Sequence, residues 1–183
     1  MLKVIDQPEC KLFNKTKLGG LNSIIGSDLA ANFNFKCTNL LYQISGAQKI
    51  VKRRTKGNQK NEILLENHYK KQMLNLIKRS TKNISEIVIL AGLYHLDKLV
   101  KKDETIVDDT NFDLYFSLCA MESSKFFEDN FWDNRDYLII FGLKDKISIK
   151  KYCKMEKLIL DKLNWELYVN ENDLRVFLNQ FVK

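Results

Sequence analysis

The 183-residue sequence predicts an all-α domain preceded by a basic, partly disordered N-terminal extension. Three observations predict it. From residue 61 onward proline is absent and only Gly92 and Gly142 interrupt the chain, so little breaks long helices. Apolar residues there recur at three- and four-residue spacing and show no useful β-alternation, which is the period of helices buried along one face. The segment from Ile87 to Leu96 is apolar nearly all round, and such a helix must be surrounded by others.

Residues 1–60 read as the extension. They hold the only proline, Pro8, and five of the seven glycines: Gly19, Gly20, Gly26, Gly46 and Gly57. One helix is expected in it, over 28–44 with Ser27 as its cap. The net charge of +7 is concentrated here, since residues 1–60 carry 11 of the 30 Lys/Arg and 3 of the 23 Asp/Glu. The pI of about 9.1 therefore describes a tail. The body, 61–170, and a short C-terminal helix within 171–183 lack the basic excess a nucleic-acid-binding domain carries on its own face.

Five helices are expected in the body. The first, 62–79, places Leu65, Tyr69, Met73, Leu76 and Ile77 on one side. The second, 86–101, opens at Ser85 and is the central, enclosed one. The third, 111–128, begins at Thr110-Asn111-Phe112-Asp113, close to a capping box, and Asp108, Asp109 and Asp113 suit the positive end of its dipole. A short fourth, 135–141, stops at Gly142. The fifth, 149–164, is capped by Ser148 and buries Tyr152, Met155, Ile159, Leu160 and Leu163. A last short helix covers 173–181. Phe126 and Trp165 are expected in the core.

Several classes are set aside. No run of about 18 apolar residues is present to span a bilayer, and the start of the chain lacks the h-region of a secretory signal. Cys10, Cys37, Cys119 and Cys153 form no CxxC pair and read as reduced thiols of an intracellular protein. His68 and His95 fall within helices and belong to no nucleophile–base grouping. The acidic pairs Asp103-Glu104 and Asp108-Asp109 lack calcium-loop spacing. The reading is non-catalytic, with no metal and no cofactor.

Three stretches carry a resemblance. The run from Leu118 to Asp129, LCAMESSKFFED, resembles the third helix of the cyclin box, with small residues followed by Ser-Lys-Phe and acidic residues. The run from Met155 to Leu167, MEKLILDKLNWEL, resembles its fifth helix, with Asn164 where the family writes Asp. The run from Leu90 to Leu99 is similar to its second helix. All three fall in the family's order and cover about 62–168. Asn134-Arg135-Asp136-Tyr137 followed by Gly142-Leu143 is similar to the small single-box type, the phosphate-regulation, P and Y cyclins. Too few residues follow the fifth helix to hold a second box.

The resemblance implies a five-helix cyclin box that binds and activates a cyclin-dependent protein kinase as a heterodimer, by holding the kinase's αC helix. Carried over residue by residue, the family's kinase-gripping pair is Lys125 and Glu156. No basic residue lies three or four positions from Glu156, so a lysine from elsewhere is the partner this carboxylate needs. Phe131, Trp132 and Tyr137 are the aromatics expected to be exposed beside them. Asp97 reads as structural. Its arginine partner on the family's first helix is replaced by Leu74, which leaves Lys78 and Arg79 as the candidate substitutes. The cluster Lys52, Arg53, Arg54 and Lys56 reads either as a solvated linker or as a nuclear-import signal, consistent with a nuclear or cytoplasmic protein. A box that serves as an adaptor, or as a transcription-factor-like protein on DNA, remains the alternative.

Overall fold

The computed structural model describes residues 32–129 and 131–180. These form eight helices and no strand. In chain order they are α1 (Phe33–Ile44), α2 (Ala47–Thr55), α3 (Gln59–Ser80), α4 (Glu86–Lys102), α5 (Phe112–Phe127), α6 (Asn134–Ile140), α7 (Ile149–Lys162) and α8 (Glu171–Asn179). The body is the all-helical arrangement the sequence predicts, with α3 to α7 in the place of the five expected helices.

Helix α4 lies at the centre, and Val88, Ile89, Leu90, Ala91, Leu93 and Leu96 are wholly buried. Its tightest neighbour is α5. Gly92 stands at their crossing, where a Cβ would come within 2.9 Å of the Cα of Ala120. Only glycine lets the two backbones approach so closely, and the small residues Cys119, Ala120 and Ser123 on α5 complete the fit. Helix α1 packs on both α3 and α4 and joins Met73, Leu76 and Ile77 of α3 to the same core, while α6 and α7 pack on α5 and α8 on α4.

The boundary at residue 60 divides one core. Helices α1 and α2 pack on α3, and α1 also reaches α4. Phe33, Cys37, Leu40, Leu41, Tyr42, Ile44, Ala47 and Val51 are buried in the same cluster as the body. Two of the glycines read as marks of a loose tail are helix punctuation instead: Gly46 (φ 68°) caps the start of α2, and Gly57 (φ 82°) lies between α2 and α3. Both occupy the left-handed region where glycine meets no steric penalty. Ser27 and residues 28–31 of the expected first helix, with Pro8, Cys10, Gly19, Gly20 and Gly26, lie outside the described residues.

Helix starts follow local chemistry. Asn58, Asp133 and Ser148 cap α3, α6 and α7 by accepting from backbone N–H groups. The capping box expected at Thr110–Asp113 does not form. Thr110 donates its hydroxyl to Asp108, Asn111 spans the preceding loop to Asp108 N and Ile106 O, and Asp113 pairs with Lys146 at 2.6 Å. A true box occurs at α8, between Asn170 and Asp173, which moves that helix's start two residues before its expected position.

The aromatic assignments change in three places. Trp165 is 62% exposed rather than core. Helix α7 ends at Lys162, and Asn164 and Trp165 both take left-handed conformations, so the indole swings outward and donates to Asp161 while Leu163 fills the interior. Phe126 is 40% exposed, set edge-to-face between Phe127 and Tyr168. Tyr137 is the reverse case: expected on the surface, it is fully buried and stacks on Phe141 at 6.2 Å.

Candidate functional site: the junction of α5, α6 and α7

The last turn of α5 presents Lys125, and α7 presents Glu156 across from it. The ammonium lies 2.5 Å from Glu156 Oε1 and 2.9 Å from Oε1 of Glu122, one turn earlier on α5. Asn134, the first residue of α6, donates its amide to Glu156 Oε2 and also lies against the thiol of Cys153. Three helices therefore converge on one carboxylate, Glu156, which accepts from Lys125 of α5 and from Asn134 of α6. The fold fixes each of them: α7 is anchored by buried Tyr152 and Ile159, α6 by Tyr137 and Leu138, and α5 by its packing on α4.

The pair is half-sheltered. The side chains of Lys125 and Glu156 retain 24% and 20% of their exposure, whereas that of Glu122 keeps 5%. Burial pushes the Glu122 carboxyl above its ordinary value, partly offset by the Lys125 ammonium. Burial acts against the charge of Lys125 as well, but its bonds to Glu156 and Glu122 outweigh it and hold the pKa above the usual lysine value. The ammonium is thus firmly charged. It uses two N–H groups on carboxylates and keeps a third for a further acceptor.

Exposed apolar surface adjoins this charge. Phe131 is 52% and Trp132 44% exposed, on the strand of chain between α5 and α6. The Trp132 indole is held in place by donating to the carbonyl of Asn83, beyond the end of α3. Phe126, which follows Lys125, and Tyr168 form a separate exposed edge-to-face pair. Tyr137 cannot join it, because burial leaves no atom to offer a partner.

Two residues of this site escaped the sequence reading. Glu122 stands in the run of small buried residues, and a carboxylate there needs a counter-charge; its spacing to Lys125 was the available signal. Asn134 belonged to a motif but acquires a role only through the placement of α6 on α7.

The remaining assignments sort as follows. Asp97 pairs within its own helix, with Lys101 at 2.5 Å, and not with Lys78 or Arg79. Arg79 turns instead to the carbonyl of Phe141, beside Gly142. The basic cluster lies at the end of α2 and its joint with α3, so it is not a solvated linker. Arg54 is bound to Asp109 at 2.8 Å and to the Tyr69 hydroxyl, which itself donates to Asp109. Lys52, Arg53 and Lys56 remain exposed. His95 is buried with its Nδ1 2.9 Å from Ser123 Oγ. No group of three or more His, Cys, Asp or Glu among the described residues is placed to hold a metal ion. No helix among them is long and apolar enough to cross a membrane.

Comparison with known proteins gives one match. The family model described as Cyclin, N-terminal domain, matches residues 41–168, well over half of the 183-residue chain. It begins within α1, so it takes in the end of that helix and all of α2. No curated protein and no solved structure matches the chain. With the helical architecture and the span of that match in agreement, the chain belongs to the cyclin family.

Proposed function

We propose that this chain is a regulatory subunit that binds a cyclin-dependent protein kinase and switches it on, in the manner of the small phosphate-regulation, P and Y cyclins it resembles. The observation that carries the proposal is the half-exposed Lys125–Glu156 pair, set beside the exposed rings of Phe131 and Trp132. A helix end on a partner leaves backbone donors and acceptors open. The free N–H of Lys125 suits such a carbonyl, and the remaining lone pairs of Glu156 suit such an N–H. The neighbouring rings supply the apolar anchors typical of interface centres.

Activation then needs no chemistry from this chain. A kinase requires its own Lys–Glu ion pair closed before its phosphate site is complete. A subunit that binds only the closed arrangement shifts the population toward it by its differential affinity. The exposed Lys52, Arg53 and Lys56 suit a nuclear-import factor, in keeping with a complex that works in the nucleus, the cytoplasm or both.

The test is affinity capture with the full chain, followed by identification of what is retained and a kinase assay on the eluate. A cyclin-dependent kinase retained near one-to-one is expected, with its activity. The Lys125→Ala/Glu156→Ala chain and, separately, the surface variant Phe131→Ser should both lose it while keeping the helical circular-dichroism spectrum. Retention of transcription components or another protein instead of a kinase, or a kinase indifferent to all three substitutions, overturns the proposal.

A further inference from the structure

The site carries one more carboxylate than ammonium, and the extra one is the most deeply buried of the three charges. Glu122 has 5% of its side-chain exposure and lies 2.9 Å from the Lys125 ammonium. Burying an acid against a helix of small residues is costly without a reason. A single carboxylate, Glu156, would neutralise Lys125 in the free chain. It would do so less well once a partner's donors compete for its oxygens and water is expelled.

We propose that Glu122 is a positioning residue of the interaction face: an internal counter-ion that keeps the Lys125 ammonium in place and neutralised, so that Glu156 is free to turn to the partner. This rests on the reading of Lys125 and Glu156 as the partner-facing pair. With Lys125 balanced from below by Glu122, Glu156 presents an unbalanced negative charge outward. The partner segment it fits is rich in donors, either the N–H groups of a helix N-terminus or a basic side chain seated on Glu156. Asn134 supports the same geometry, since its bond to Oε2 holds the Glu156 carboxylate in orientation whether or not Lys125 remains attached.

The charged groups around the pair leave this assignment intact. Glu128 accepts from Ser124, and Asp133 is committed to the backbone of Arg135 and Asp136 at the start of α6. Neither bonds to the Lys125 ammonium, which has only Glu122 and Glu156 as its hydrogen-bonded acceptors among the described residues.

Two measurements on the full chain test this. The first needs no kinase: a double-mutant cycle of Glu122→Gln and Lys125→Met, read by urea unfolding in chains that also carry Glu156→Ala. The coupling between Glu122 and Lys125 should persist there at about fivefold or more in the unfolding constant. A coupling indistinguishable from zero overturns the counter-ion role. The second titrates the kinase recovered by capture against Glu122→Gln. A loss of affinity of about tenfold is expected, with an unchanged or higher melting temperature, since the variant removes a buried charge. Unchanged affinity overturns the positioning role. Should Glu122→Gln fail to fold, Glu122→Leu replaces it in both experiments, with the same outcomes read. If no kinase binds even the unsubstituted chain, the regulatory reading fails, and the first measurement still decides whether Glu122 holds Lys125.

Discussion

Lys125 shows how little a single residue explains alone. A lysine beside two phenylalanines would ordinarily lay its stem over the core edge and leave its charge in water. Here two carboxylates from different directions hold the ammonium, and its pKa stays above the ordinary value despite partial burial. His95 is the opposite case. It is fully buried, with its Nδ1 2.9 Å from Ser123 Oγ, and the Ser123 hydroxyl also lies within bonding distance of the Cys119 carbonyl. Burial, helped by the nearby positive charge of Lys98, pushes its pKa down to about 4 from 6.5. The folded state therefore binds a proton less readily than the unfolded chain. The stability that follows is fully present above about pH 6.5 and is lost as the pH falls toward 4, in total roughly 3 kcal/mol. Urea midpoints taken at pH 7 and pH 4 should fall further for the natural chain than for His95→Gln. Equal falls would show that His95 is protonated in the folded state without cost.

At the scale of elements, the α4–α5 contact sets the position of everything at the site. The two backbones touch where Gly92 meets Ala120, and Lys125 lies on the same helix as Ala120, a turn and a half further on. Gly92→Ala gains helix propensity but places a methyl against backbone that cannot move aside. A net destabilisation of roughly 1–3 kcal/mol is expected, read as a lower thermal midpoint. A raised midpoint would mean that α5 can shift, and that the site is not held as rigidly as the packing implies. Helix α2 is secured differently. Arg54, Tyr69 and Asp109 tie it to α3 and to the loop before α5 through polar bonds at its edge.

For the whole molecule, the question is where the domain begins. A chain cut to residues 58–183 keeps the five helices of the box yet loses α1 and α2. The face of α3 that carries Tyr69, Met73, Leu76 and Ile77 would then lose the helices α1 and α2 that now pack on α3. Removing that many buried apolar side chains, each contributing about 1.5–3 kcal/mol, exceeds the usual margin of a small domain. The truncated chain is expected to lose cooperative unfolding by circular dichroism. A sharp transition within a few degrees of the full chain would restore the boundary at residue 60.

The helices of the body, their order, the central place of α4 and the Lys125–Glu156 pair could all be read from the sequence. Each rests on local periodicity or on motifs that lie contiguous along the chain. The tertiary structure decided the rest. The membership of α1 and α2 in the core depends on a complementary face on α3, which no window of sequence contains. The burial of Tyr137 and the exposure of Trp165 depend on how α6 docks and on two left-handed residues after α7. The choice of Lys101 for Asp97, and of Glu122 and Asn134 for the Lys125–Glu156 pair, depends on which charges arrive within about 3 Å of one another. Periodicity fixes which face of a helix is apolar, but only packing fixes what that face and its polar rim meet.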